Sequence, residues 1–390
     1  MNIKTFLFYM CYGIFYTLIM LLNAKPNILY GNQNFLIKEN RKLSIKTLCF
    51  PFLFFLFISF ILFTVFRNEN VGTDYNSYKS RCFDYAEGIS LSDYLLDMLK
   101  MGFEPLFALI SYIIKKAGLD FLVFLFIIYF IIFLSQITLF SNVKGFFIPF
   151  IFFIILVFPM ILESFNIMRN SLAAFISIWG YIYLSKKRYL LAFVIFLISI
   201  FIHYSAIFCF MVWIMNILCN KEKFYLERML FLIALGIILC YLLLPFFIKI
   251  MLIYNPIYEN NLIKNGVSIK TMIFYIIVFI ISIIYSNKLL KDNTINKVML
   301  IAVGCALITI PLQSVMTISG RMLLFSHIPL FFLISGLFSI KITRKNMELT
   351  YCFLFLLLLL SLGWFYIHMT SISKDYGIDN YSNILINIKI

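Results

Sequence analysis

Twelve apolar runs dominate the sequence, and most are close to the ~20 residues that a helix needs to cross a bilayer. The 390 residues are 63% hydrophobic and 13% charged. Soluble chains are roughly 45–50% apolar and about 25% charged, so a water-soluble fold is excluded. We expect an all-α, polytopic membrane protein in which residues 1–390 form a single membrane domain. The predicted spans are 5–22, 47–66, 119–140, 146–161, 170–185, 189–202, 204–219, 229–248, 271–287, 298–318, 322–340 and 349–368.

Lysine and arginine indicate the orientation of these spans, because short cytoplasmic loops carry an excess of both. With the N-terminus outside, the cytoplasmic loops hold 18 basic and 5 acidic residues, against 14 and 12 on the outer side. The net charge of +15 is spread over these loops and forms no single patch, so nucleic acid is not an expected partner. The apolar run after Lys4 is long and lacks a small-residue cleavage site, and is interpreted as the first span.

Two apolar stretches do not fit one span each. Residues 105–114 are too few to cross the membrane, so we expect a re-entrant or interfacial helix within an outer loop, 67–118. One helix over 189–219 would be ~46 Å long, against a hydrocarbon thickness of ~30 Å. A tight hairpin near His203 gives two spans instead, although no glycine or proline marks the turn. Residues 369–390 form a C-terminal tail.

Signatures of cofactor chemistry are missing from the sequence. Eight cysteines, of which only Cys82 lies in a clearly polar loop, form no CxxC pair and no Cys/His ligand spacing. No P-loop, GxGxxG, HExxH or DxD motif occurs, which argues against an ATP-driven pump, a cytoplasmic nucleotide-sugar transferase and a zinc protease. We therefore predict no cofactor, no metal and no disulfide framework.

Ionisable residues at the predicted outer ends of the spans are the candidates for chemistry. A charge inside a span costs ~2.5–3.5 kcal/mol on insertion scales, so it usually faces a partner or a wet cavity. Charges also gather at span ends for interfacial reasons alone. Both interpretations stay open for each residue. The set comprises Arg67, Asp74, Glu104, Glu163, Arg169, His203 and Arg321.

Several residues of this set have a structural interpretation beside or instead of a functional one. Asp74 is a candidate general base, or it caps a turn. Glu104 stands before a proline, which is typical of a helix start. Asn166 and Arg169 are three residues apart, which predicts one helix face. The planar fork of Arg169 suits a phosphate, with a structural pair to Glu163 as the alternative.

Histidines and the last arginine complete the candidates. The ordinary pKa of a histidine, ~6.5, suits His203 to base work at neutral pH, although a lone histidine is more often a packing residue. Arg321 follows Gly320 and is a second candidate for anion binding. We expect His327 to have a packing role and His368 to anchor the last span at the interface.

Five motifs follow one another along the chain: Arg67 with Val-Gly-Thr-Asp74-Tyr, then Glu104-Pro-Leu-Phe, Asn166-x-x-Arg169-Asn-Ser-Leu-Ala, Phe-Ile-His203-Tyr-Ser-Ala and Gly-Arg321. This ordered set resembles the EpsG family of bacterial exopolysaccharide polymerases, the Wzy-type enzymes. The resemblance covers roughly residues 1–370, and Asn170 departs from it where a glutamine is expected. The tail, 371–390, carries no family signal.

The resemblance implies a function and a cellular location. Such enzymes join repeat units carried on undecaprenyl pyrophosphate, at the outer face of the bacterial cytoplasmic membrane, with a GT-C-like helical architecture and no nucleotide. His203 or Asp74 would be the base, and Arg169 and Arg321 would clamp the pyrophosphate. Glu104 or Glu163 would orient these groups or bind sugar hydroxyls. Arg67 and Asn166 join the substrate-binding set. Implied partners are the lipid-linked glycans, the bilayer, a flippase and a chain-length regulator.

Other functions remain open. A flippase of lipid-linked oligosaccharides would also have about twelve spans, but it should show pseudo-repeated halves and charges at mid-membrane depth. Neither is visible in the sequence. An acyltransferase or a non-catalytic scaffold of the same pathway is the third interpretation.

Overall fold

A computed structural model describes residues 3–24, 53–143, 147–219, 225–254, 269–290, 294–310, 317–340 and 347–376, and most of these residues are helical, with no strand among them. The predicted basic segments 25–46, 220–224 and 341–346 and the tail beyond 376 lie outside the described residues. The α-helices are α1 Ile3–Ala24, α2 Leu53–Thr64, α3 Leu91–Lys100, α4 Pro105–Lys116, α5 Phe121–Asn142, α6 Phe147–Phe152, α7 Phe158–Glu163, α8 Met168–Ser185, α9 Tyr189–Ile202, α10 Ile207–Leu218, α11 Tyr225–Tyr254, α12 Ile269–Ile284, α13 Ser286–Leu289, α14 Thr294–Thr309, α15 Thr317–Phe338 and α16 Met347–Tyr376.

Where the structure describes them, the predicted spans lie mostly in helices, which confirms the all-α membrane fold. Residues 47–52 and 311–316, which belong to two of these spans, lie outside the described residues. By length and composition, three helical segments among the described residues could cross a bilayer: Lys4–Leu21, Phe121–Asn142 and Arg321–Phe338. Seven further apolar helices are 10–17 residues long. The number of twelve spans and their orientation stay predictions.

Two compact units divide the contacts of the chain: unit 1 is Met1–Ile176 with Ile367–Ile390, and unit 2 is Ser177–Tyr366. The two boundaries fall within α8 and α16. The division describes local packing, and a single membrane domain stays a prediction.

Aromatic rings hold the apolar helices of unit 1 together. Tyr12 on α1 stacks on Phe63 of α2, with 4.0 Å between ring centroids. Phe60 of α2 contacts Phe133 of α5 at 5.6 Å. Such ring pairs contribute ~0.5–1.5 kcal/mol each beyond the area they bury. Residues 65–120 connect two of these three helices, α2 and α5.

The segment between α2 and α5 contains more structure than the sequence predicted. The helix expected at 105–114 is α4, and Pro105 occupies its first turn. A π-helical turn, Ser77–Phe83, and α3 precede it and were missed. Helix α3 does carry a readable signal, because Ser90 caps its N-terminus and Tyr94, Leu95 and Met98 recur at helical spacing. The π-helical turn is only seven residues long and is too short for such a pattern.

Cys82 lies in a segment that the sequence analysis interpreted as a polar loop, but the structure buries its side chain. Its thiol lies 3.3 Å from the hydroxyl of Tyr94, whose O–H donates to the Cys82 carbonyl oxygen at 2.9 Å. Burial raises the pKa of the Cys82 thiol. This thiol therefore packs as a small apolar group.

Helix α14 is the centre of unit 2. It packs against α10, α11, α12 and α15, and nearly all its side chains are buried. The approach of α11 is close because glycines remove the side chain at the contact. A Cβ at Gly304 would lie 2.4 Å from Ile233, and one at Gly236 would lie 2.7 Å from Ile308. Small residues at such contacts are typical of helices that pack in membranes.

The hairpin predicted near His203 is confirmed. Helix α9 ends at Ile202, His203 is extended, and residues 204–206 form one 3₁₀ turn that leads into α10. The backbone N–H of Ala206 donates to the His203 carbonyl oxygen at 2.9 Å and closes the turn. This geometry keeps φ negative, which explains why the turn needs no glycine.

We predict that Gly180→Ala destabilises unit 2. A Cβ at this position would lie 2.2 Å from the ring of Phe196, which is fully buried and cannot move aside freely. Overpacking of this kind costs about 1–3 kcal/mol. Thermal unfolding of the detergent-purified protein measures the loss. Gly363→Ala is the matched control, since its Cβ would meet no atom within 4 Å. Equal melting temperatures for the two variants would contradict the packing described here.

Candidate functional site

A short turn between α7 and α8, residues 164–167, is the platform on which the polar residues of unit 1 meet. The backbone N–H groups of Asn166 and Ile167 donate to the Glu163 carbonyl oxygen at 3.0 and 2.9 Å. Asn166 therefore lies in the turn and Arg169 in the first turn of α8. The prediction that both share a helix face is wrong, because the helix begins only at Met168.

Asn166 holds the Val-Gly-Thr-Asp segment through its side chain. Its Oδ1 accepts hydrogen bonds from the Thr73 hydroxyl and from the backbone N–H of Asp74, the latter at 2.9 Å. Two donors on one buried amide oxygen fix the start of the π-helical turn. The carboxyl of Asp74 is half-buried at this point.

Gly72 makes this docking sterically feasible. Its φ is +96°, in the region that favours glycine, and a Cβ would lie 2.3 Å from the backbone oxygen of Phe165. Backbone cannot move aside as a side chain can. Both the positive φ and the close approach to the Phe165 backbone therefore favour glycine at position 72.

Arg67 lies beneath the segment with none of its surface exposed. Its guanidinium donates to the carbonyl oxygens of Thr64 and Val71, and its Cζ lies 4.7 Å from the ring centroid of Phe165 and 5.4 Å from that of Tyr129. These contacts hold the chain where α2 ends. A role in substrate binding stays a prediction, and the observed contacts are those of a positioning residue.

The half-buried Arg169 forms an ion pair with the buried Glu104. Its Nη1 donates to a Glu104 carboxylate oxygen and, at 2.7 Å, to the Gly102 carbonyl oxygen. The Glu104 side chain is 2% exposed. It does not cap its own helix, α4, so the carboxylate serves Arg169. The alternative pair with Glu163 is not the one observed.

One N–H of Arg169 has no acceptor in the described part of the chain. Its Nε is buried without a hydrogen-bond partner among the described residues. The ring of Phe103 lies 4.5 Å from its Cζ and restricts the guanidinium further. The side chain is thus a preorganised cation with an unused N–H, which suits an oxyanion.

Glu163 and His368 form a second polar contact in unit 1. His368 Nε2 lies 3.3 Å from Glu163 Oε1. The other carboxylate oxygen, Oε2, is buried without a hydrogen-bond partner among the described residues. His368 was expected only to anchor the interface, and the contact joins residues so far apart in the sequence that no local pattern predicted it.

In unit 2, the His203 turn lies against α15, the helix that carries Arg321. His203 is buried, and Arg321 is exposed. Phe208, just after the turn, contacts Phe325 at 6.5 Å between ring centroids, one helical turn from Arg321. His327 packs edge-on against Trp364 at 5.0 Å, which fits its expected packing role.

The predicted residues thus fall into two groups. Unit 1 gathers the residues on and around the 164–167 turn: Asp74, Glu104, Glu163, Asn166 and Arg169, with Arg67 beneath. Unit 2 holds His203 and Arg321 on neighbouring elements. The convergence of the two groups in one pocket stays a prediction, as do the roles of the individual residues.

Fold and site together define a helical membrane protein with a built cationic site at helix ends. The sequence model of the EpsG family matches residues 50–383, and the chain belongs to this family of polysaccharide polymerase-like proteins. The match starts after α1 and continues past residue 370, so the tail carries family signal that the sequence analysis did not find. No curated protein and no solved structure matches the chain.

We predict that Gly72→Ala disrupts the docking of the 71–74 segment. The substitution adds a clash with the Phe165 backbone to the cost of a positive φ. Gly88→Ala is the matched control, because Gly88 has φ +76° but its Cβ would meet nothing within 4 Å. The control should lose only the conformational cost, about 1 kcal/mol. Limited proteolysis of residues 65–104 and the melting temperature measure both variants, and identical behaviour would contradict the close approach.

We predict that Glu104→Gln destabilises the protein by about 1.5–3 kcal/mol, because it removes the charged hydrogen-bond acceptor of the half-buried Arg169. The control is Asp97→Asn, which breaks the exposed pair with Lys100 at 3.1 Å and should cost under about 1 kcal/mol. Chemical unfolding in detergent measures both. Adding Arg169→Gln to Glu104→Gln should recover part of the loss, and strictly additive effects would refute the ion pair.

Proposed function

We propose that this protein is a polysaccharide polymerase that joins oligosaccharide repeat units at the outer face of the bacterial cytoplasmic membrane. Each unit is carried on undecaprenyl pyrophosphate. Support comes from membership of the EpsG family and from the chemistry of the site on the 164–167 turn.

Arg169 is the observation that carries the proposal. Transfer of a glycan from a lipid diphosphate leaves negative charge on the departing oxygen, and a preorganised cation stabilises that charge. Arg169 is held by Glu104 and Phe103 and retains an unpartnered Nε–H among the described residues. An arginine fixed in this way loses little entropy when it binds a diphosphate.

The reaction needs one proton acceptor. The acceptor hydroxyl oxygen attacks the anomeric carbon of the growing glycan, the bond from that carbon to the phosphate oxygen breaks, and its electron pair leaves with the lipid diphosphate. The hydroxyl proton passes to a base, for which Asp74 and His203 are the candidates. Asp74 is half-buried beside the turn, at the N-terminal end of helical residues 75–86.

The other residues take supporting roles in this proposal. Glu104 is a positioning residue for Arg169, and Asn166 and Arg67 position the Asp74 segment. Arg321, exposed on α15, is a second contact for the diphosphate. Glu163 binds sugar hydroxyls or orients its neighbours. A flippase and a chain-length regulator are the proposed protein partners.

A deletion strain tests the proposal against the flippase alternative. Loss of a polymerase should leave single repeat units on the outer surface or on outer-leaflet lipid carrier. Loss of a flippase should leave them on the inner leaflet. Labelling of lipid-linked sugars in intact and opened cells separates the outcomes, and accumulation inside would refute the polymerase.

We predict that Arg169→Ala lowers the polymerisation rate by about 10²–10³-fold, the usual effect of removing one donor to a developing oxyanion. Polymer length and rate are measured in the deletion strain, with protein levels matched. Arg321→Ala changes an exposed side chain and should also lower the rate. Lys100→Ala, exposed on α3, is the control. Full activity of both arginine variants would overturn the assignment.

A further inference from the structure

A cavity of about 510 Å³ opens in unit 1 between residues 68–84 and the connection from α4 to α5. Its volume is within the ~300–1,000 Å³ of ordinary ligand sites. Charged side chains around it are Glu69, Lys79, Asp84, Lys115 and Asp120. None of these residues belongs to the site on the 164–167 turn.

The charged groups of the cavity are of two kinds. Lys115 is paired with Asp84 at 3.4 Å and with Glu87 at 3.2 Å, so this side of the cavity is held by the protein itself. Glu69, Lys79 and Asp120 are exposed, and their side chains form no ion pair or hydrogen bond with the protein among the described residues. Two carboxylates and one ammonium group therefore line the cavity in contact with solvent, and a ligand with hydroxyl groups can replace their bound water.

The charge of the cavity discriminates between the two parts of a lipid-linked glycan. Three carboxylates against two ammonium groups give a net charge of minus one. The cavity therefore offers a diphosphate no net attraction, whereas Arg169 does. Carboxylates and an ammonium group are instead good partners for sugar hydroxyls, which both donate and accept hydrogen bonds.

The position of the cavity relates it to the candidate base. Tyr75 forms one wall and directly follows Asp74 in the chain. Its ring packs edge-on against Phe121 at 5.3 Å, which makes that wall rigid. Burial raises the pKa of the Tyr75 hydroxyl, and the Arg67 charge opposes this, so the wall stays neutral at physiological pH.

We propose that this cavity binds the hydroxyl-rich sugars of the acceptor repeat unit, with Glu69, Lys79 and Asp120 as the contacting residues. The inference rests on the proposed polymerase function and names the substrate part that the cavity takes. It places the acceptor sugars beside Asp74 and keeps the lipid diphosphate at Arg169.

Kinetics of the full-length protein in proteoliposomes test the inference. Asp120→Asn and Glu69→Gln should each raise the KM for the lipid-linked acceptor about tenfold, because each removes a charged hydrogen-bond acceptor, and should leave kcat within about twofold. Asp97→Asn, exposed on α3 and outside the cavity, should change neither. An unchanged KM in both cavity variants would overturn the inference while the polymerase function stands.

Binding without turnover separates the two proposals. Titration calorimetry with the lipid-free oligosaccharide repeat unit should give weaker binding to both cavity variants than to the wild type and to Asp97→Asn. If the wild type fails to polymerise but shows this pattern, the polymerase proposal fails and the sugar site stands. Equal binding by all four proteins would refute the sugar site.

Discussion

The ion pair between Arg169 and Glu104 is the interaction on which the unit 1 site depends. It joins the first turn of α8 to the residue before α4, across 65 residues of sequence. Burying the Glu104 charge is costly, and the retention of the pair is best explained by the orientation that it imposes. Here it fixes a guanidinium while leaving the Nε donor without a partner among the described residues.

The same turn organises a second motif through a neutral contact. Asn166 receives the Thr73 hydroxyl and the Asp74 amide, and Gly72 allows the chain to approach the Phe165 backbone. The turn of residues 164–167 thus holds Asp74, a candidate base, through Asn166, and it leads into α8, which carries Arg169.

Long apolar elements were predictable, and the polar contacts that join them were not. The bounds of α9 agree to the residue, and the His203 hairpin followed from the excess length of one apolar run. Missed were α3, the π-helical turn Ser77–Phe83 and the contact of His368 with Glu163. Hydrophobic periodicity reports burial along one element, whereas a pair of polar side chains distant in sequence leaves no periodic trace. The placement of Asn166 on a helix failed for a related reason, since spacing cannot show where the helix begins.

Stoichiometry in a purified system tests the central claim most directly. Proteoliposomes that contain only this protein and lipid-linked repeat units should elongate glycan without nucleotide, and each new glycosidic bond should release one undecaprenyl pyrophosphate. Movement of intact lipid-linked units between the leaflets, with no bond formed and no free lipid diphosphate, would contradict the account.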